Sequence, residues 1–77
     1  MKIRVLGPGC PSCEKLYREV QAVLTELGKT AEVEKVTDFK DIAMAGVFAT
    51  PGLEVDGRLK CSGCLPRREE LATWLAE

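Results

Sequence analysis

The clearest pattern in the chain is a helical one. Leu16, Val20, Val23, Leu24 and Leu27 recur at helical spacing, while Glu14, Lys15, Arg18, Glu19 and Glu26 fall off that stripe. Pro11 suits the first turn of such a helix, where its missing N–H costs nothing, and Gly28 suits its C-terminal cap. Ahead of it, Lys2 to Leu6 is a short, β-branched apolar run ended by Gly7-Pro8-Gly9, and reads as a strand. Thr30 to Val36 reads as a second strand with imperfect alternation. Thr37 or Asp38 caps a short helix to about Ala45 that carries Phe39, Ile42 and Ala43 on one face. Gly52 to Val55 and Arg58 to about Cys61 flank the hairpin dipeptide Asp56-Gly57. A last helix begins near Pro66 and buries Leu71, Trp74 and Leu75; its start offers no Ser, Thr, Asp or Asn, which predicts fraying.

The predicted order is β-α-β-α-β-β-α, an α/β chain with three helices on a mixed four-stranded sheet. Its first three elements form a right-handed crossover between parallel strands, and the hairpin adds an antiparallel pair. At 77 residues this makes a single domain, 1–77, with room for activity only at the rim of one core. Eleven basic against twelve acidic residues, net charge −1, argue against nucleic acid as a partner. No apolar run approaches the ~20 residues of a membrane span, and the N-terminus carries no secretory signal pattern. The expectation is therefore a cytoplasmic protein, taken as a monomer. With no histidine, His metal sites, Cys–His pairs and Ser–His triads are all excluded.

The four cysteines form two Cys-x-x-Cys pairs, Cys10/Cys13 and Cys61/Cys64. Two tight pairs without a signal peptide point to redox or metal chemistry rather than a scattered disulfide framework. Cys10 lies just before the predicted first helix and Cys13 in its first turn. Unsatisfied backbone N–H groups and the positive end of the helix dipole favour the Cys10 thiolate, the species that attacks a disulfide. Cys13, one turn later, is within reach to resolve the mixed disulfide. For Cys61/Cys64 three readings stand: a second redox dithiol exchanging electrons with the first, ordinary loop cysteines, or ligands of a thiophilic metal. A four-thiolate zinc site ranks below redox, because the gap between the pairs far exceeds the ~15–20 residues of a zinc ribbon and zinc would lock Cys10. No resident cofactor or metal is expected.

Gly9-Cys10-Pro11-Ser12-Cys13 after a first strand and Thr50-Pro51 ahead of a hairpin resemble the thioredoxin superfamily, closest to its small glutaredoxin-like members. The phrases Val-Leu-Gly-x-Gly-Cys-Pro-x-Cys, Glu-Val-Glu-Lys-Val-Thr-Asp, Gly-Val-x-x-Thr-Pro and Val-Asp-Gly fall in that family's order across essentially the whole chain. The resemblance implies a thiol–disulfide oxidoreductase acting on protein disulfides and recharged by a disulfide reductase. It also implies a cis peptide before Pro51, placed against the first Cys pair, with Thr50 and Pro51 docking an extended substrate. In the family's strand order the two Cys pairs end two strands apart, about 10 Å. Two features depart from the pattern. Ser62-Gly63-Cys64 stands where glutathione-using relatives carry Gly-Gly, so glutathione is not implied as reductant. No Trp flanks the first pair, and Trp74 reads as core. Lys15, Arg67 and Arg68 read chiefly as surface charges, and Met44 with Phe48 as an apolar collar near Pro51 or as core. The competing function is a small thiolate metal carrier of the heavy-metal-associated type, which orders its elements β-α-β-β-α-β and usually has Met where Pro8 stands here.

Overall fold

The computed structural model describes residues 1–9, 11–47, 49–63 and 65–76. The order along the chain is β1 (Lys2–Leu6), α1 (Pro11–Leu27), β2 (Glu32–Val36), α2 (Phe39–Met44), β3 (Gly52–Val55), β4 (Arg58–Ser62) and α3 (Arg68–Ala76). This is the predicted β-α-β-α-β-β-α sequence of elements. The strands lie in the order β2-β1-β3-β4, with β1 parallel to β2 and antiparallel to β3, and β3 antiparallel to β4. β1 lies between β2 and β3 and buries side chains on both faces. Ile3 and Val5 point into the larger core with Leu16, Val20, Val23 and Leu24 of α1, Leu53 and Val55 of β3, and Leu71 and Leu75 of α3. Leu6 points the other way, into a small cluster with Val36, Ile42 and Val47.

The second face is covered by α2 only near the end of β1. Beyond it the strands present charge: Arg4 pairs with Glu54 at 3.0 Å across the β1–β3 ladder, and Lys2 with Glu34 at 3.7 Å across β1–β2. Such cross-strand pairs let an uncovered sheet face meet water without an apolar patch. The Asp56-Gly57 turn has φ of 49° and 82°, the positive pair that a two-residue primed hairpin needs. The Asp56 carboxylate also accepts the Lys2 N–H at 2.8 Å, tying the turn to the start of β1.

Three expectations change. Of the predicted buried face of α2, only Ile42 is buried, while Phe39 is 72% exposed and Ala43 lies in solvent. A six-residue helix capped by Asp38, which accepts the Lys40 N–H, presents a single turn to the sheet. Trp74 is half-buried at the margin of the larger core, beside Met1, Val55 and Arg58, rather than inside it. The start of α3 is held rather than frayed. The Glu70 carboxylate reaches back to the Arg67 N–H at 3.3 Å, the acidic half of a capping box. Arg68 also bridges to α1, with Nε 2.7 Å from Glu19 and Nη1 2.9 Å from Glu26. The hydrogen bond and charge of Glu19, with Glu26 beyond, push the Arg68 guanidinium further up from its ordinary value. Those two carboxylates offset an arginine placed unfavourably at a helix N-terminus.

Leu16 is fully buried between α1 and the sheet. Leu16→Ala is expected to destabilise the protein by about 2–5 kcal/mol in denaturant unfolding. Phe39→Ala, by contrast, is expected to stay within about 0.5 kcal/mol of the parent; a large loss there would contradict the exposed placement of Phe39.

Candidate functional site

The site gathers at the C-terminal end of β1. Gly7 continues the strand by one residue, its N–H donating to the Val36 carbonyl at 2.8 Å, and the chain then turns through Pro8 and Gly9, which has φ of 91°. α1 starts at Pro11, so Cys13 falls in its first turn, where backbone N–H groups lack intrahelical partners. Cys13 is buried, with 5% of its surface exposed, and is disulfide-bonded. Its sulfur lies against the bare Cα of Gly7: a Cβ built on Gly7 would overlap Cys13 Sγ and stand 3.7 Å from Thr50 Cβ. Gly7 thus marks the point where Cys13 and the Thr50-Pro51 segment meet. Glu14, an acid one residue on, is drawn to Lys35 of β2 at 3.0 Å. Lys15 borders an open cleft of about 330 Å3 with Leu65 and Arg67.

The Thr50–Pro51 peptide is cis, as the family resemblance implies. Pro51 is buried and Thr50 exposed. Gly52, the next residue, pairs with Leu6, which sets this segment beside the end of β1. No described residue hydrogen-bonds the Thr50 backbone. The segment is instead braced from β4: the Gly63 N–H donates to the Pro51 carbonyl at 2.9 Å, and Ser62 Oγ to the Ala49 carbonyl at 3.3 Å. Gly63 is required there twice over. Its φ is 74°, and a Cβ would come within 2.7 Å of the Ala49 side chain.

Cys61 is also buried, 6% exposed, and disulfide-bonded. It reaches the core through a bulge. The two-residue turn sets Val55 opposite Arg58 and Glu54 opposite Leu59, after which the register shifts and Leu53 faces Cys61. Lys60 is the extra residue. Without the shift Lys60 would face Leu53 on the core side and Cys61 would turn to the opposite face. The signal was in the sequence, since a lysine in phase with Leu53 and Val55 is incompatible with a buried strand face. Strand β3 separates β4, which carries Cys61, from β1, which leads into the turn before Cys13.

Cys10 and Cys64, and Phe48 of the apolar collar, lie outside the described residues. Met44 of the same collar is 76% exposed on α2. Among the described residues no group of three or more Cys, Asp or Glu side chains comes together as a metal-ligand set. A helix, α2, separates β2 from β3, which is the thioredoxin order; in the heavy-metal-associated order the second and third strands follow one another directly. Among the described residues no helix is long and apolar enough to cross a membrane. Burial predicts the behaviour of the two described thiols: after reduction, Cys13 and Cys61 should alkylate at least about tenfold more slowly in native buffer than in denaturant. Equal rates, followed by peptide mass spectrometry, would contradict their burial.

Residues 1–76 match the family model described as Thioredoxin domain. A thioredoxin of Methanothermobacter thermautotrophicus is 42% identical over 71 residues, covering 92% of this chain and 92% of the relative. A thioredoxin of Methanocaldococcus jannaschii is 44% identical over 69 residues, covering 90% of this chain and 79% of the relative. With the fold, the cis-proline segment and the cysteine at the head of α1 already in place, this match is decisive: the chain belongs to the thioredoxin family of thiol–disulfide oxidoreductases.

Proposed function

We propose that the protein reduces protein disulfides through Cys10 and Cys13, with Cys10 as nucleophile and Cys13 as resolving thiol. The observation that carries this reading is the placement of a disulfide-bonded Cys13 in the first turn of α1, against Gly7 and beside the cis Thr50–Pro51 peptide. The Cys10 thiolate attacks a substrate disulfide, forming a mixed disulfide and releasing one substrate thiolate, which takes up a proton. The Cys13 thiolate then attacks the Cys10 sulfur, closing the Cys10–Cys13 disulfide and releasing the second substrate thiol. Two electrons pass to the substrate in all. The exposed Thr50, whose backbone no described residue hydrogen-bonds, docks the substrate beside Pro51. A disulfide reductase restores the dithiol. The protein does this as a single-domain monomer in the cytoplasm.

Cys61 and Cys64 form a second dithiol that recharges the first. The exchange moves two electrons and two protons: the Cys10–Cys13 disulfide opens to two thiols as Cys61 and Cys64 close to a disulfide. Support comes from the bulge that turns Cys61 inward and from the hydrogen bonds that tie Ser62 and Gly63 to the Ala49–Pro51 segment. Positive-φ glycines at 9 and 63 supply hinges for the approach of the two loops.

In an insulin-reduction assay, Cys10→Ser should abolish turnover, and Cys13→Ser should accumulate a protein–substrate mixed disulfide visible on a non-reducing gel. Equal activity in the two variants would contradict the assigned roles. The paired change Cys61→Ser with Cys64→Ser should leave single-turnover exchange intact and slow recharging.

A further inference from the structure

We infer that Gly7 is a positioning residue for the exchange reaction: its missing side chain makes the space that the Cys13 sulfur occupies in the disulfide, and so favours the oxidised form of the pair. This rests on reading Cys13 as the resolving thiol. The demand for glycine at this position is steric and not conformational. Gly7 is absent from the positive-φ glycines, so no left-handed backbone demands glycine there. The obstruction is the sulfur itself, because a Cβ built on Gly7 overlaps Cys13 Sγ and stands 3.1 Å from Cys13 Cβ. The backbone on the Gly7 side is held in place. The Gly7 N–H is held by the Val36 carbonyl at 2.8 Å, Gly7 is buried, and Thr50 Cβ lies 3.7 Å from the same point.

The two redox states differ in what Cys13 can do about such a methyl group. In the disulfide, Cys13 Sγ is bonded and cannot leave. In the dithiol, Sγ is free to turn about the Cα–Cβ bond to another staggered position. A methyl at position 7 therefore penalises the disulfide more than the dithiol. The affected half-reaction is one disulfide plus two electrons and two protons giving two thiols, with a dithiol buffer as the electron donor.

The test is a redox titration of Gly7→Ala in dithiothreitol buffers, with the peptide carrying Cys10 and Cys13 followed by mass spectrometry. The expected result is a shift toward the dithiol of about tenfold or more in the equilibrium constant, about 30 mV for each factor of ten. Gly28→Ala is the control. It places a side chain at a positive φ of 66° in open space at the far end of α1, and should cost stability in both states without moving the potential. A parental potential in Gly7→Ala overturns the inference. If the parent shows no exchange at this pair at all, the functional reading fails with it. Should Gly7→Ala not fold, adding Cys13→Ala, which removes the sulfur, should restore folding; a double variant that stays unfolded overturns the inference.

Discussion

The pairing of β1 with β3 is the constraint on which the site depends. Leu6 opposite Gly52 is what sets Gly7, and so the Cys13 sulfur, beside Thr50. That register is held by burial on one face, where Ile3 and Val5 meet Leu53 and Val55, and by the Arg4–Glu54 pair on the other. A slip of one residue would exchange the faces, burying Arg4 and Glu54 and exposing the apolar set. The same slip would carry the cis-proline segment away from the head of α1. Here the fold's stability and the geometry of its chemistry are a single requirement.

The remaining elements brace that junction. α1 and α3 close one face of the sheet, and Arg68 joins them through Glu19 and Glu26 on the surface. α2 covers the other face only where Leu6, Val36 and Val47 need it, close to the site. β4 supports the cis-proline segment from the side through Ser62 and Gly63. Because Cys61 immediately precedes those two residues, it is tied through them to the cis-proline segment beside Cys13. The bulge at Lys60 makes this attachment, since it brings Cys61 onto the core face while leaving Ser62 opposite Gly52.

Much of this was legible in the residues. Helical periodicity in α1, the turn dipeptide Asp56-Gly57 and the strand–turn–Cys-x-x-Cys junction each have a local physical cause, and each element formed where that cause lies. What escaped depends on partners distant in sequence. Phe39 has a helical phase suited to burial, but α2 is too short to reach the sheet with it. Arg68 reads as an ordinary surface charge until α1 and α3 are set side by side. Gly7 reads as a turn glycine, and only the position of the Cys13 sulfur shows that its small size is the property that counts. The bulge left a trace, a lysine in phase with Leu53 where a buried residue is needed, but strand alternation alone does not say where the extra residue sits.

The proposed chemistry requires Cys10/Cys13 to be a working two-electron centre. The most direct measurement is a free-thiol titration of metal-free parent protein across a series of dithiol redox buffers, with each cysteine pair followed by mass spectrometry. The expected result is one reversible two-electron step at Cys10/Cys13 in the thioredoxin range, about −270 mV, and a second at Cys61/Cys64 close enough in potential for exchange. Two pairs that do not exchange, in a protein purified with stoichiometric zinc, would contradict it.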